Sequence, residues 1–315
     1  MRIAVLTAPE RFEIAEVPPP EIAPDEVLLR VAACGVCTSE LPAFTGAQSP
    51  DYPRHLGHEV SGTVAAVGAE VQSLALGDPV GAWVTSHGFA EYVAVKAAHC
   101  RPAGDMPLDE ALAEPLACAV NAVEEADVRL GDDVVLIGAG FMGNLVQKLV
   151  RLRGVRHLVV ADTRPDALER ATALGATRVV DVRSESLAEV VGELTGGRGA
   201  DVTFECTGGQ AALDAVGDVT RMSGKIVLVG FHQGAARSIN LAYWNWMAFA
   251  IINAHYRDLD TIMRGMTVGM RLLASDVLSL RTLVTHRFPL EQIDAAFRAA
   301  RDKPAGFVKA TVTFG

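Results

Sequence analysis

From about Gly131 onward the chain repeats one unit: a short apolar run followed by a stretch with helical periodicity. The repeats begin with DVVLIGAG and FMGNLVQKLVRLRG, continue with HLVVAD and PDALERATALGA, and recur through RVVDV, ADVTFECTGG and GKIVLVG. Segments of strand length that alternate with segments of helix length place the strands in parallel. The pattern therefore predicts an α/β domain built on a doubly wound parallel sheet.

The first strand-to-helix turn of this domain carries a glycine motif. GAGFMG supplies Gly138, Gly140 and Gly143 in GxGxxG spacing, with Phe141 and Met142 between them where the helix begins. The first glycine makes the tight turn, the second lets a pyrophosphate approach the backbone, and the third lets helix pack on strand. The helix N-terminus then meets the phosphate charge. The motif predicts a dinucleotide site of the Rossmann type, whereas turn glycines without a ligand are the simpler interpretation.

A carboxylate closes the second strand of the same domain. Asp162 stands 19 residues after Gly143, where it can accept both hydroxyls of an adenosine ribose and would repel a 2′-phosphate. Arg164 is close enough in sequence to contact an adenine or a phosphate, so NADP stays open. We expect NAD as the cofactor, with Asp162 and Arg164 in its site; a helix-capping role for Asp162 is the alternative.

The first hundred or so residues have a different texture. Short apolar runs such as EVLLRVAACGV, EVSGTVAAVG and FAEYVAV are broken by turn residues, which predicts a compact β-rich unit. After Asp258 the chain becomes helical and ends in a strand, FVKATVTF, that we expect to fold back on the first unit. The predicted domains are a catalytic domain of residues 1–122 with 264–315 and a dinucleotide-binding domain of residues 123–263.

Length, charge and cysteine content limit the possible functions. At 315 residues, half of them hydrophobic, the chain can bury two cores. Its formal charge of -10 repels phosphate backbones and anionic bilayers, so we expect neither nucleic acid nor membrane as a partner. No apolar run approaches the roughly 20 residues that cross a bilayer, and the first residues lack a signal-peptide layout, which favours a cytoplasmic protein. Five scattered cysteines indicate free or metal-bound thiols.

Few residues offer the thiolate, imidazole and carboxylate groups that zinc prefers. The candidates are Cys37 in AACGVCTSE, His58 and Glu59 in LGHEVSG, and Glu114 in LAEPLACAV. A catalytic zinc keeps three protein ligands and leaves one position for water or substrate. Spacing alone does not single these residues out. Cys34 and Cys37 also form a CxxC, but they close a β-type segment, whereas a thioredoxin-like redox pair opens a helix.

Two longer strings carry a resemblance to a known family. GHEVSGTVAAVGAEV, from Gly57 to Val71, matches the GHExxGxxxxxGxxV signature of zinc-containing medium-chain alcohol dehydrogenases, and GVCTSE matches their first zinc-ligand segment. The resemblance runs nearly end to end, through GDPV, GFAEYV, GAGFMG and THRFPLEQIDAAF. It implies a GroES-like β-rich catalytic domain beside a Rossmann domain, and an alcohol dehydrogenase that uses NAD and one catalytic zinc.

The same resemblance implies which residues hold the metal. Cys37 and His58 are zinc ligands, and Glu59 can join the metal in some states. Glu114 is the implied third ligand, because EPL is the pattern of the polyol-dehydrogenase branch, in which glutamate replaces a cysteine. Cys118, four residues further on, competes for that place.

Residues next to the ligands also receive roles from the resemblance. Ser39 matches the hydroxyl that passes the substrate proton outward, and Glu40 matches the acid that orients a histidine ligand. Pro42 stands where a histidine often continues the proton path. The proton must therefore leave through water or another group, such as His55 or His87.

The family's four-cysteine lobe, which holds a structural zinc, is missing, because only VTSH joins GDPVGAW to GFAEYV. We therefore expect one zinc. A homo-oligomer is possible, but because the lobe often takes part in association, the family's usual subunit contacts do not imply one. Lys309, in the terminal strand, either approaches the cofactor phosphates or is solvated. His87, His232 and His255 are candidates to line the substrate pocket, His232 because it follows a strand end in VGFHQG.

The resulting hypothesis is hydride transfer between NAD and a secondary alcohol of the polyol, sugar or cyclitol kind. Zinc would make the alcohol more acidic, Ser39 would take its proton, and the cofactor would accept the hydride. One alternative is a zinc-free NADPH-dependent enone or quinone reductase of the same superfamily, against which the intact ligand set argues. Another is a non-enzymatic NAD-binding protein, against which Ser39 and Glu40 argue.

Overall fold

A computed structural model of the chain describes residues 1–48 and 51–315. The chain divides into two compact units, Met1–Ala117 with Met263–Gly315 and, separately, Cys118–Ile262. Among the described residues, no helix combines the length and the apolar content that a membrane span requires.

The strands are, in chain order, β1 (Arg2–Ala8), β2 (Arg11–Glu16), β3 (Glu26–Gly35), β4 (Glu59–Val67), β5 (Pro79–Trp83), β6 (Tyr92–Lys96), β7 (Cys100–Pro102), β8 (Asp133–Ile137), β9 (His157–Asp162), β10 (Arg178–Asp181), β11 (Ala200–Glu205), β12 (Thr220–Leu228), β13 (Ala250–Asn253), β14 (Val284–Pro289) and β15 (Lys309–Thr313).

The α-helices are α1 (Leu41–Thr45), α2 (Ala113–Glu125), α3 (Phe141–Arg151), α4 (Pro165–Ala173), α5 (Leu187–Thr195), α6 (Gln210–Val219), α7 (Leu241–Trp246), α8 (Leu259–Ala274) and α9 (Ile293–Asp302). Short 3-10 turns cover Thr38–Glu40, Ala97–His99, Leu108–Glu110 and Leu290–Gln292.

The unit Cys118–Ile262, all of whose residues the structure describes, contains a six-stranded parallel sheet in the order β10-β9-β8-β11-β12-β13. The apolar run of β8 is buried along its whole length because this strand lies in the middle of the sheet. The strand order reverses between β8 and β11, and ligands of such sheets bind at the carboxyl ends of the strands around that point. The predicted doubly wound parallel sheet is confirmed.

The other unit is rich in antiparallel β-structure. Its main sheet runs β14-β15-β3-β4-β5-β7, with β6 paired to the first half of β3, and β1 and β2 form a hairpin. Helix α9 covers part of the core, where the ring of Phe297 lies 5.0 Å from those of Phe12 and Phe44 and 5.5 Å from that of Phe89. The last strand, β15, pairs with β3 through Thr311 and Gly35. The end of the chain therefore belongs to the same sheet as strands from the first third of the chain.

Candidate active site

The ends of two neighbouring strands bring a set of metal-binding side chains together. Strand β3 ends at Gly35, strand β4 begins at Glu59, and these two residues are paired across the sheet. Cys37 follows the first strand, and His58 precedes the second. Each of Cys37, His58 and Glu59 offers one donor atom, and the three atoms lie within 4.8 Å of one another. It is the one cluster of three or more potential ligands found in residues 1–48 and 51–315.

Glu40 holds the imidazole of His58 in place. Its Oε1 atom accepts the backbone N–H of Gly57 at 2.6 Å and lies 3.1 Å from Nδ1 of His58. The carboxylate is buried, with 7% of the residue exposed. Because Nδ1 is engaged by the carboxylate, Nε2 is the ring nitrogen left for a metal, an arrangement common around zinc-bound histidines. The structure thus places Glu40 where an orienting acid would stand.

The carboxylate of Glu59 has a charged partner, Lys309. Nζ of Lys309 donates to Oε1 of Glu59 at 2.6 Å, and both side chains are almost completely buried. Burial disfavours the ammonium ion, but the carboxylate of Glu59, assisted by Cys37 and Glu114, raises the pKa of Lys309. The expectation of a solvated lysine is therefore wrong, because the pairing of β15 with β3 turns this side chain inward. Its contact with cofactor phosphates stays a prediction.

Of the two carboxylate candidates, Glu59 and not Glu114 lies beside Cys37 and His58. Glu114 lies in the first turn of α2 and is half-buried, but its carboxylate is not part of the three-atom group. Cys118, one helical turn further on, does not join the described group either. Glu59 lies in this group because it directly follows His58 and pairs with Gly35, whereas Glu114 comes from a separate helix. The role of Glu114 as a ligand stays a prediction.

The residues present fit a divalent cation. Oε2 of Glu59 is buried and has no hydrogen-bond partner among the described atoms, which a bound cation would satisfy. Burial opposes a charge on His58, yet the carboxylate of Glu40 and the sulfur of Cys37 outweigh it and raise the pKa of the imidazole. The surroundings therefore favour positive charge. Thiolate, imidazole and carboxylate are the donors that zinc prefers.

Ser39 lies beside the ligand sulfur. Its hydroxyl donates to Sγ of Cys37 at 3.1 Å, within the 3-10 turn that follows β3. Cys34, the other half of the CxxC, belongs to the hydrophobic core and is fully buried, and burial raises the pKa of its thiol. Both cysteines are free thiols. The burial of Cys34 and the place of Cys37 in the cluster of potential ligands fit a core residue and a metal ligand better than a redox pair.

The short connection that replaces the missing lobe lies against the segment that carries His58. Gly88 donates its backbone N–H to the carbonyl of Gly57 at 3.0 Å. Next to this contact, the rings of His55 and His87 stack with centroids 4.4 Å apart, and Nδ1 of His87 lies 2.7 Å from the hydroxyl of Ser86. The two histidines that were predicted as alternatives for proton exit are therefore in contact with each other.

In the parallel-sheet unit, the glycine motif has the geometry of a phosphate cradle. Gly138 adopts a φ of +102°, and a Cβ on Gly143 would lie 1.9 Å from the carbonyl oxygen of Gly138. A Cβ on Gly140 would meet nothing within 4 Å, so open space faces this residue. Helix α3 begins at Phe141, and Met142 follows in its first turn. A glycine turn that faces open space at Gly140, directly before a helix N-terminus, is suited to a pyrophosphate.

Asp162 lies beside this loop at the carboxyl end of β9. Its Oδ2 accepts the N–H of Ala139 at 2.8 Å, while Oδ1 accepts the N–H groups of Thr163 and Arg164 at 2.8 and 2.9 Å. Nε of Arg164 lies 3.5 Å from the same Oδ1. Thr207 is a neighbour of the glycine motif that no sequence pattern predicted: its Cγ2 would lie 2.5 Å from a Cβ on Gly138. Its position just after β11, the strand next to β8, is the sequence signal that could have predicted this role.

Two family models match successive parts of the chain. Residues 23–105 match the family described as Alcohol dehydrogenase GroES-like domain, and residues 142–267 match the family described as Zinc-binding dehydrogenase. The sorbitol dehydrogenase of Gallus gallus is 31% identical, with 90% of this chain and 88% of that protein covered. The sorbitol dehydrogenase of Bacillus subtilis (strain 168) is 27% identical, with 95% and 93% covered.

A solved structure has the same fold as this chain over its full length. The galactitol-1-phosphate dehydrogenase of Escherichia coli is similar with a TM-score of 0.89 and 24% identity, and 100% of each chain is covered. At that identity the likeness concerns the fold. Together with the family matches, it confirms the GroES-like and Rossmann-type architecture. The chain therefore belongs to the zinc-dependent medium-chain dehydrogenase family, in its polyol-dehydrogenase-like branch, and is an oxidoreductase of the alcohol dehydrogenase class.

Proposed function

We propose that this chain transfers hydride between a secondary alcohol and NAD with the help of one zinc ion, giving a ketone and NADH. The proposed substrates are polyols, sugars or cyclitols, because sorbitol dehydrogenases are similar to the chain over most of its length. The observation that carries the proposal is the meeting of a thiol, an imidazole and a buried carboxylate from Cys37, His58 and Glu59.

The proposed ligands are Cys37, His58 and one carboxylate. Glu59 is favoured because its Oε2 is buried without a hydrogen-bond partner, and Glu114 is the alternative. A zinc ion held here would lower the pKa of an alcohol or polarise the carbonyl of a ketone. Glu40 contributes by fixing the ring of His58, so that the ligand is in place before the metal binds.

The proton path starts at Ser39. Its hydroxyl lies 3.1 Å from Sγ of Cys37, so it stands beside the proposed metal and can accept the proton of a substrate hydroxyl. Pro42 offers no group to continue the path. The proton then leaves through water or through the stacked pair His55 and His87, whose hydroxyl neighbour is Ser86.

The proposed cofactor is NAD rather than NADP. The open space at Gly140 suits the pyrophosphate, and we propose that Phe141 and Met142 border it at the start of α3. The carboxylate of Asp162, next to the glycine loop, suits the hydroxyls of a ribose and opposes a 2′-phosphate. Arg164 lies beside it and keeps NADP as the alternative to be measured.

We also propose that copies of the chain associate. Strand β13 pairs with β12 on one side, and no described residue pairs with its other edge. Ile251 on this strand is 47% exposed and Trp246 on the preceding helix is 75% exposed. An exposed strand edge flanked by large apolar side chains is a template for pairing with another chain.

Metal analysis combined with a turnover screen tests the proposed function. Wild-type protein purified without chelator should contain about one zinc per chain and should reduce NAD when polyols are offered. Cys37→Ser should lose both properties, whereas Cys100→Ser, at a core cysteine of the same unit, should keep both. A zinc-free wild type that reduces enones with NADPH would instead support the zinc-free reductase.

A further inference from the structure

A buried carboxylate with no role in the proposed chemistry lies at the carboxyl edge of the parallel sheet. Glu205 is the last residue of β11 and is 0% exposed. Its Oε1 accepts the hydroxyl of Thr207 at 2.5 Å and the N–H groups of Thr207 and Gly208 at 2.7 and 3.0 Å. A carboxylate removed from water is costly unless such donors surround it, so this one fixes the turn that follows β11.

The other oxygen of Glu205 faces the neighbouring loop. Nε2 of His232 lies 3.0 Å from Oε2, although it is poorly aligned for a hydrogen bond. Nδ1 of His232 accepts the Nε–H of Arg237 at 3.3 Å, and Arg237 also donates to the carbonyls of Gly208 and Gln233 at 2.9 and 3.0 Å. The residues after β12 are thereby tied to the turn after β11.

The backbone packs closely around this network. A Cβ on Gly230 would lie 2.2 Å from the backbone nitrogen of Gly208 and 2.5 Å from Oε2 of Glu205. On its other side the network reaches the glycine motif, because the methyl group of Thr207 lies against Gly138. The hydrogen bond from Thr207 to Glu205 is what orients that methyl group. Glu205 thus connects the ends of β8, β11 and β12.

The strand order tells which half of a dinucleotide this network would face. In doubly wound sheets the dinucleotide crosses the point where the strand order reverses, here between β8 and β11. Asp162 at the end of β9 marks the adenosine side. The ends of β11 and β12 therefore border the other mononucleotide, which in NAD carries the nicotinamide.

We infer that Glu205 and His232 are positioning residues that hold the wall of the nicotinamide half of the cofactor site. The inference rests on the proposed function, because it presupposes a nicotinamide dinucleotide in this unit. Neither side chain takes part in hydride or proton transfer. Their effect is on binding: they keep the turns 206–209 and 229–232 in the conformation that accepts the nicotinamide nucleotide, so that less ordering remains for the ligand to supply.

Binding of two ligands by calorimetric titration separates this role from general stabilisation. NADH spans both halves of the site, whereas ADP lacks the nicotinamide and its ribose. Glu205→Gln should weaken NADH binding by about tenfold, the size expected when a charged buried hydrogen-bond acceptor is lost, and change ADP binding by less than about twofold. Thr207→Val and His232→Asn should show the same selectivity to a smaller degree, and Glu193→Gln, at an exposed position of α5, should change neither.

The outcomes distinguish the inference from the proposed function. If wild-type protein binds neither NADH nor NADPH, the proposed function fails and the positioning role fails with it. When wild type binds NADH but Glu205→Gln binds both ligands normally, or loses both to the same extent, the positioning role is overturned while the proposed function stands. Should Glu205→Gln fail to fold, the selectivity of Thr207→Val decides: equal effects on the two ligands would overturn the inference.

Discussion

Nζ of Lys309 lies 2.6 Å from Oε1 of Glu59, and both side chains are almost completely buried. The two residues are 250 positions apart in sequence, and they meet because the last strand of the chain pairs with the strand that leads to Cys37. Their contact gives the proposed metal site a built-in cation next to a carboxylate. Zinc and Lys309 would therefore share Glu59.

Removing the ammonium group should leave a buried charge without its partner. We expect Lys309→Met to lower the free energy of unfolding of zinc-free protein by about 3–5 kcal/mol, and zinc to recover part of the loss by compensating Glu59. Denaturant unfolding with and without chelator measures both effects. Lys309→Arg keeps the charge and is the control. An unchanged midpoint for Lys309→Met without zinc would contradict a charged Glu59.

The two carboxylate candidates can be separated by metal affinity. Because Glu59 groups with Cys37 and His58 whereas Glu114 does not, Glu59→Gln should weaken zinc binding by about 10–100-fold or more, and Glu114→Gln should have a smaller effect. Competition with a chromogenic chelator gives both constants. The reverse order of the two variants would make Glu114 the third ligand.

Glu40 should act on the metal indirectly, through the ring of His58 and through the backbone N–H of Cys37, which donates to it at 3.5 Å. Glu40→Gln loses the charge that faces Nδ1, and we expect zinc affinity to fall by about 10–100-fold while the circular dichroism spectrum is unchanged. Glu70→Gln, at an exposed position of the same unit, is the matched control. Equal zinc affinity in wild type and Glu40→Gln would show that the carboxylate does not orient the ligand.

Two glycines of one motif should respond differently to the same substitution. Gly140→Ala adds a methyl group into open space at a φ of -75°, so the fold should persist while NADH binding weakens. Gly143→Ala places a methyl group 1.9 Å from the carbonyl oxygen of Gly138, so it should lower the melting temperature. Thermal unfolding and NADH titration of both variants make the comparison. Normal NADH binding by Gly140→Ala would show that the pyrophosphate does not occupy that space.

Self-association through β13 should be sensitive to charge at its exposed edge. Ile251→Lys is expected to shift the protein from an oligomer to a monomer, since charged side chains block pairing between strand edges. Light scattering after size exclusion measures the mass. Leu130→Lys, at an exposed apolar residue away from that strand, should leave the mass unchanged. A monomeric wild type would contradict the proposed interface.

Much of the fold could be predicted because its signals are local. The alternation of apolar runs and helical periodicity depends on near neighbours in sequence, and it indicated the parallel sheet that the structure shows. The roles of Gly138 and Gly143 could likewise be predicted, since each depends on a turn of a few residues. Glu205 was not predicted, because its bonds to Thr207 and Gly208 leave no mark in the local sequence pattern and its neighbours Gly230 and His232 lie after the next strand.

The sequence by itself determined the fold class, the two chemical motifs and the small set of residues able to bind a metal, because periodicity and motif spacing act over short stretches of chain. Only the tertiary structure decided which carboxylate stands beside Cys37 and His58 and where Lys309 points. Those outcomes depend on the register between β3, β4 and β15, which brings distant residues to one place. Once they are buried there, their charges must pair with one another, and no sequence neighbour could reveal that pairing.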